Sequence, residues 1–234
     1  MSQGKIKVLV SGSQGRMGKE ILSLLSKHKK LELGGQMDFK LPGVDLSFLP
    51  PGSEIGVVVD FSSLEYFRKS LAWAVEKKVP FVSGTTGLSD KDREELSRSA
   101  RMIPILWSGN MSLGLNVLLQ LLGKVQALKS YDFQVEEFHH NKKIDSPSGT
   151  ALMLQNQLEK TLERKLPEPL SGRGGGIFGI HKIWIMGEEE TLVLEHTALN
   201  RRIFARGALS CASWLVDQSP GLYGIEHMVG MGDF

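Results

Sequence analysis

Five short apolar runs, each closed by glycine or small polar residues, dominate the first half of this 234-residue chain. They occupy residues 6–10, 31–37, 55–59, 80–83 and 103–107, and turns followed by segments of helical period join them. Such an alternation buries its runs as a parallel sheet with crossover helices on its faces. Ligands of an open parallel sheet bind beyond the carboxyl ends of its strands, so the closing residues are expected to line one crevice. They comprise a glycine turn after the first run, Asp38, the group Asp60, Phe61 and Ser62, the group Gly84, Thr85, Thr86 and Gly87, and the group Ser108, Gly109 and Asn110.

The glycine turn reads SGSQGRMG, and its Gly12, Gly15 and Gly18 precede the helix-spaced Ile21, Leu24 and Leu25. Glycines suit a turn in which the backbone bends tightly and approaches a pyrophosphate seated on the helix N-terminus. The spacing is GxxGxxG rather than GxGxxG, and by itself it fits a structural turn equally well. Its context favours a ligand, because Asp38 stands 20 residues past Gly18, where an acid accepts ribose hydroxyls. A nicotinamide dinucleotide is the expected cofactor.

Beyond residue 110 the pattern changes. Residues 110–126 have the spacing of a connecting helix, whereas 131–138, 178–186 and 191–197 read as strands of a second sheet. Residues 204–216 are again helical, with Leu209, Ala212, Trp214 and Leu215 placed to pack back on the first domain. The expected fold is α/β: a Rossmann-type parallel-sheet domain of residues 1–110 and 202–234, and an α+β domain of residues 111–201 with a mainly antiparallel open sheet. The first is expected to bind the dinucleotide and the second to bind substrate and mediate oligomerisation. The glycine-rich run at 172–176 reads as a loop.

The segment EEFHHNKKIDSPSGTAL at 136–152 carries the densest chemistry. Phe133 and Val135 alternate with polar neighbours as in a strand, an alternation that Glu137 and Phe138 break. Ser146 and Pro147 form a favourable N-cap and first helical residue, after which Ala151, Leu154, Leu158 and Leu162 follow at helical spacing. His139, His140 and Lys143 therefore fall on the loop between strand and helix. Backbone N–H groups near Ser148, Gly149 and Thr150 would face the same space and favour a carboxylate or phosphate. Proton donors thus meet an anion cradle; the plainer alternative is a capped surface helix with a solvated loop.

Lys and Arg total 28 against 26 Asp and Glu, with the basic residues scattered, so nucleic acid is not an expected partner. The single cysteine, Cys211, cannot form an internal disulfide, and residues 1–7 lack the apolar stretch of a signal peptide. With no apolar run near the roughly 20 residues that span a bilayer, a cytoplasmic location away from membranes is expected.

Taken together, GSQGRMG at 12–18, VVDFSS at 58–63, SGTTG at 83–87, GNMSLGLNV at 109–117, HHNKKIDSPSGTA at 139–151, RRIFARGAL at 201–209 and GLYG at 221–224 closely resemble the 4-hydroxy-tetrahydrodipicolinate (dihydrodipicolinate) reductase family. The resemblance spans nearly the whole chain and implies NADH- or NADPH-dependent reduction of a cyclic dicarboxylate in diaminopimelate and lysine synthesis. It implies that Gly12, Ser13, Gln14, Gly15, Arg16, Met17, Asp38, Gly84, Thr85, Thr86, Ser108, Gly109, Asn110 and Met111 contact the cofactor. By the same carry-over, His140, Gly149 and Thr150 bind substrate, joined by Ser148, and His139 and Lys143 form the proton-donating pair.

Two departures stand out. Many NADPH-using relatives carry arginine after the acid at 38, where this chain has Phe39 and then Lys40, so NADH is the expected preference, with Arg16 or Lys40 still able to hold a phosphate. The path from GIHKIWIM to TLVLEHTA also omits a strand and turn that relatives use in forming a tetramer. A homo-oligomer is expected, with its arrangement altered.

Rival readings are weaker. A catalytically idle dinucleotide-binding sensor would share the first domain but has no need of HHNKK followed by SPSGTA. A dehydrogenase with a cysteine nucleophile needs that residue in a loop, whereas Cys211 falls in a helical pattern. His139, His140, His181 and His196 could suggest zinc, but adjacent histidines tend to point apart and no tight ligand set is evident, so no metal is expected.

Overall fold

The computed structural model describes residues 4–38 and 54–229. The expectations for Phe39 and Lys40 fall outside these residues. The chain divides into two units, Met1–Ser112 with Arg202–Phe234, and Leu113–Arg201.

In the first unit β1 (Ile6–Ser11), α1 (Arg16–Leu25), β2 (Leu31–Met37), β3 (Val57–Asp60), α2 (Leu64–Lys77), β4 (Phe81–Ser83), α3 (Asp90–Ser99) and β5 (Pro104–Trp107) follow in order. The second unit holds α4 (Leu113–Leu122), a 3-10 turn (Val125–Leu128), β6 (Asp132–His139), α5 (Gly149–Leu162), β7 (Leu170–Arg173), β8 (Gly179–Met186) and β9 (Thr191–Ala198). The chain then completes the first unit with α6 (Arg202–Leu215), β10 (Gly221–Tyr223) and α7 (Ile225–Met228).

The first sheet is wholly parallel, in the order β10-β5-β4-β3-β1-β2. Its central strands run without polar alternation, as expected of strands covered on both faces; all four residues of β3 and all three of β4 are buried. Phe67 of α2 meets Phe81 of β4 edge-on at 5.9 Å between ring centroids, and burying each such ring contributes roughly 1.5–3 kcal/mol. The strand order reverses between β1 and β3, which sets the glycine turn beside the end of β3 at the topological switch point. Small residues let α6 lie close to the unit's backbone: a Cβ on Gly207 would stand 1.7 Å from the Met111 carbonyl oxygen. Cys211 is fully buried in α6, where desolvation pushes its thiol up to about 12, so it is a packing residue and not a nucleophile. Trp214, by contrast, is half-buried and rests edge-on against Tyr223.

The second sheet has the order β7-β6-β8-β9, with only the β6–β7 pair parallel. Phe133, Val135, Ile183 and Ile185 point to one face and are buried with Leu115 and Leu122 of α4 and Leu154 and Leu158 of α5. Four sequence expectations are corrected here. His139 is the last residue of β6 and not part of the loop that follows it. Gly172 and Arg173 belong to β7 rather than to a loop. The glycine serves the sheet, since a Cβ there would lie 2.3 Å from the Phe138 ring. The alternation of β6 is not broken at Glu137 and Phe138, because the burial pattern continues with the glutamate inside and the phenylalanine outside. Finally, α5 begins at Gly149, not Pro147. Ser148 takes the N-cap, its hydroxyl accepting the Ala151 N–H at 3.2 Å, and its own N–H is drawn to Glu137. No helix among the described residues is long and apolar enough to cross a membrane.

Candidate active site

In the first unit the glycine turn is closed by its own backbone and by Asp38. Gly12 has φ +78°, a conformation that favours glycine, and its N–H donates to Met37 O at 2.8 Å. Gly15 N–H reaches back to Gly12 O at 3.0 Å, and Gln14 N–H donates to Asp38 Oδ2 at 2.5 Å. Gln14, Gly15 and Arg16 are left exposed at the start of α1, which has no side-chain cap. The N-terminal end of a helix without a side-chain cap favours an anion.

Asp60 gathers the neighbouring strand ends. It is wholly buried and accepts hydroxyls from Ser62 at 2.5 Å, Thr85 at 2.7 Å and Ser83 at 2.8 Å. Burial raises its pKa, and these bonds oppose the rise. Gly84 passes against the Phe61 ring, where a Cβ would stand at 2.2 Å. Thr85 is buried and committed to Asp60, whereas Thr86 is exposed. Ser108 Oγ donates to Asn110 O at 2.9 Å, and Asn110 Oδ1 accepts Ser112 N–H at 2.9 Å, giving a self-capped turn with Gly109 exposed. Met17 is half-buried, and Met111 is buried, so its side chain belongs to the core.

In the second unit the covered face of the sheet turns from apolar to ionic one register step past Val135. Glu137 and His139 of β6 stand there with Ser171 and Arg173 of β7 and His181 of β8, while His196 of β9 adjoins His181. His139 Nδ1 lies 2.5 Å from Glu137 Oε2. Glu137 Oε1 accepts from Arg173 Nη2 at 2.8 Å, Ser171 Oγ at 2.9 Å and Ser148 N–H at 3.1 Å. The His139 and His181 rings meet edge-on at 5.1 Å, and Ser148 Oγ lies 3.4 Å from His181 Nε2. Gly179 leaves room for both rings, since its Cβ would stand 3.0 Å from His139 Nε2.

Burial raises the carboxyl of Glu137, but the bonds from Arg173, Ser148 and Ser171 outweigh it and hold the group at about 2. His139 is lowered, chiefly by burial and also by Lys143 and Arg173, with Glu137 pulling the other way. His181 falls to about 4, through burial first and then the neighbouring His139. On the loop, Lys143 Nζ binds Asp145 at 2.8 and 3.0 Å, and the Gly149 N–H also bonds to Asp145. The Ser148 and Gly149 donors are therefore held by internal carboxylates rather than left open. An acid bridging Lys143 and a helix start is itself the arrangement expected of a carboxylate site. His140 is half-buried just past β6, and Thr150 is half-buried in the first turn of α5.

Sequence reasoning missed Glu137, Arg173 and Gly179. Its statement that no tight ligand set exists is also corrected: among the described residues, Glu137, His139 and His181 bring ligand atoms within 4.8 Å of one another. Arg173 already balances the carboxylate charge of Glu137, so the charge balance of the cluster does not call for a cation.

Comparison with known proteins gives a consistent family. Residues 6–50 and 52–111 match the model described as dihydrodipicolinate reductase, N-terminus, and residues 114–229 match its C-terminus counterpart. A protein of Bdellovibrio bacteriovorus named 4-hydroxy-tetrahydrodipicolinate reductase is 46% identical over 96% of both chains. One of the same name from Rickettsia akari is 38% identical over 94% of this chain and 95% of its own. Among solved structures, the dipicolinate-bound dihydrodipicolinate reductase of Paenisporosarcina sp. TG-14 superposes with a TM-score of 0.83 at 19% identity, covering 96% of this chain and 100% of its own, a likeness of fold.

Proposed function

The chain belongs to the dihydrodipicolinate reductase family, and from that premise we propose how its residues share the reduction of 4-hydroxy-tetrahydrodipicolinate to tetrahydrodipicolinate with loss of water. It is an NAD(P)H-dependent oxidoreductase of diaminopimelate and lysine synthesis. The match covers both units, whereas an idle sensor would account for the first alone.

Replacing a ring hydroxyl by hydrogen consumes one hydride and one proton for each water released. Bound NADH or NADPH supplies the hydride. The protein must supply the proton and hold two carboxylates. The glycine turn of Gly12, Ser13, Gln14, Gly15, Arg16 and Met17 cradles the pyrophosphate, and Asp38 accepts the ribose hydroxyls. Gly84, Thr85, Thr86, Ser108, Gly109, Asn110 and Met111 complete the cofactor contacts. Asp38 repels a 2′-phosphate and Phe39 offers no countercharge, so NADH is preferred, modestly because Arg16 and Lys40 remain available.

His140, Ser148, Gly149 and Thr150 bind the substrate. The observation that carries this reading is the carboxylate of Asp145 seated between Lys143 and the start of α5. Lys143 then serves as the cation for a substrate carboxylate and His139 as the acid. Burial and two nearby cations disfavour the imidazolium of His139 in the free site, and a dianionic substrate offsets those cations and favours it. Turnover of the condensation product of pyruvate and aspartate semialdehyde with NADH or NADPH dideuterated at C4 tests the reaction. One deuterium in the product is expected, and unlabelled product or no oxidation of either cofactor would overturn the assignment.

We place self-association on the open face of the second sheet, where Phe138, Leu170 and Val193 are 36%, 57% and 38% exposed. Trp184 lies on this face rather than in the core, its Nε1 donating to Glu136 Oε2 at 2.9 Å. Light scattering reads the mass: a multiple of the 25.8 kDa chain is expected, and a monomer would refute it. The lone buried cysteine fits a cytoplasmic setting.

A further inference from the structure

We propose that Glu137 is the positioning residue of this reductase: one oxygen of its buried carboxylate fixes the tautomer and charge of His139, and the other ties the imidazole to the start of the substrate helix. The inference rests on the reading of His139 as proton donor and names what orients it. Glu137 has no accessible surface, yet it sits at a strand position where alternation calls for an apolar side chain. A buried carboxylate is retained only when it is paired and hydrogen-bonded.

Its two oxygens are engaged on opposite sides. Oε1 receives Arg173, Ser171 and the Ser148 N–H, which joins β7 and α5 to β6. Among the described residues Oε2 faces His139, 2.5 Å from Nδ1, as a close charge contact that is not an aligned hydrogen bond. An anion at that nitrogen favours a proton on Nδ1 and leaves Nε2 as the nitrogen that exchanges protons. The ordering is mechanical as well as electrostatic, because the same carboxylate sets the Ser148 cap from which Gly149 and Thr150 follow.

The charged and titratable groups around His139 are Glu137 on its own strand, Arg173 on β7, Lys143 on the following loop and His181 on β8; α5 adds the uncharged Ser148, and His196 adjoins His181. Glu137 alone among them favours the imidazolium, and the two cations oppose it. Removing its charge therefore moves the loss of donor activity to lower pH.

The test is Glu137→Gln in the full chain, which keeps the shape and an acceptor for Ser148. The alkaline fall of kcat should shift down by about one pH unit or more, the range for losing an opposite charge within a few ångströms. The dinucleotide Kd should stay within about threefold, because the substitution is in the other unit. An unchanged kcat profile in folded Glu137→Gln overturns the proposal. Nitrogen-15 spectra of the histidines give a readout independent of turnover: the wild-type protein should carry the His139 proton on Nδ1. A proton on Nε2 refutes the role even if the variant does not fold. Wild-type protein without turnover but with the Nδ1 tautomer would instead refute the assigned reaction and leave the positioning intact.

Discussion

A single methyl group at Gly18 separates a functional glycine turn from an incidental one. Gly18 is buried on α1, and a Cβ there would stand 2.2 Å from Gly12 O, 2.6 Å from Ser13 Cα and 2.7 Å from Ser13 C. All three atoms are backbone, so no side chain can rotate away, and the oxygen contact is about 1 Å or more short of ordinary van der Waals distance. Overpacking of this kind costs about 1–3 kcal/mol, while alanine in a helix regains about 1 kcal/mol over glycine. The net loss is at most about 2 kcal/mol, or at most roughly 8 °C in Tm for a chain of this size. The displaced atoms belong to the turn that closes on Asp38 through Gln14, so Gly18→Ala should also raise the dinucleotide Kd about tenfold or more, some 1.4 kcal/mol. Calorimetry and fluorescence titration with NADH measure the two effects. A folded Gly18→Ala protein with wild-type Tm and wild-type affinity would refute the reasoning.

Three further outcomes follow from the same physics. Nothing lies within 4 Å of a Cβ built on Gly149, so Gly149→Val should fold with its Tm little changed yet raise the substrate KM about tenfold or more by filling the approach to the helix start; an unchanged KM in steady-state kinetics would contradict it. Phe39→Arg should improve kcat/KM for NADPH about tenfold relative to NADH, in keeping with one charge-assisted bond to a 2′-phosphate; a wild-type enzyme already strongly favouring NADPH would show that another basic residue does this. Glu137 is held at about 2 against an ordinary 4.5, so its stabilisation, on the order of 3 kcal/mol, is complete above pH 4.5 and is lost as the pH falls toward 2. Urea unfolding should therefore show wild type losing more stability across that window than Glu137→Gln, and parallel losses would exclude the effect.

The parallel sheet was legible because its central strands β3 and β4 are buried on both faces and read as unbroken apolar runs, and the more exposed β2 still begins and ends where its sequence pattern places it. Strands β7 and β10 were not, since four residues LSGR and three residues GLY are too short to show a period. The site was half legible. His139, Lys143 and the SGTA helix start are contiguous in sequence, and their types announce proton transfer and anion binding. Glu137 looked like an error in the strand pattern because residue type alone cannot tell a buried, paired acid from an exposed one. Its partners Ser171 and Arg173 arrive from a strand more than 30 residues away, and only register brings them alongside. The N-cap was misplaced for a local reason: Ser146 before Pro147 satisfies the usual signal, but Ser148 gains both the Ala151 N–H and the pull of Glu137 on its own N–H.

Steady-state kinetics of wild type, His139→Ala and Lys143→Ala, with dinucleotide Kd measured on the same preparations, test the division of labour most directly. Wild type should oxidise NADH with the pyruvate and aspartate semialdehyde condensation product. Each variant should lose about 10²–10⁴-fold in kcat, the usual worth of a general acid, while its dinucleotide Kd stays within about threefold of wild type. Wild-type turnover in both variants, or a parallel collapse of turnover and dinucleotide affinity, would contradict the account.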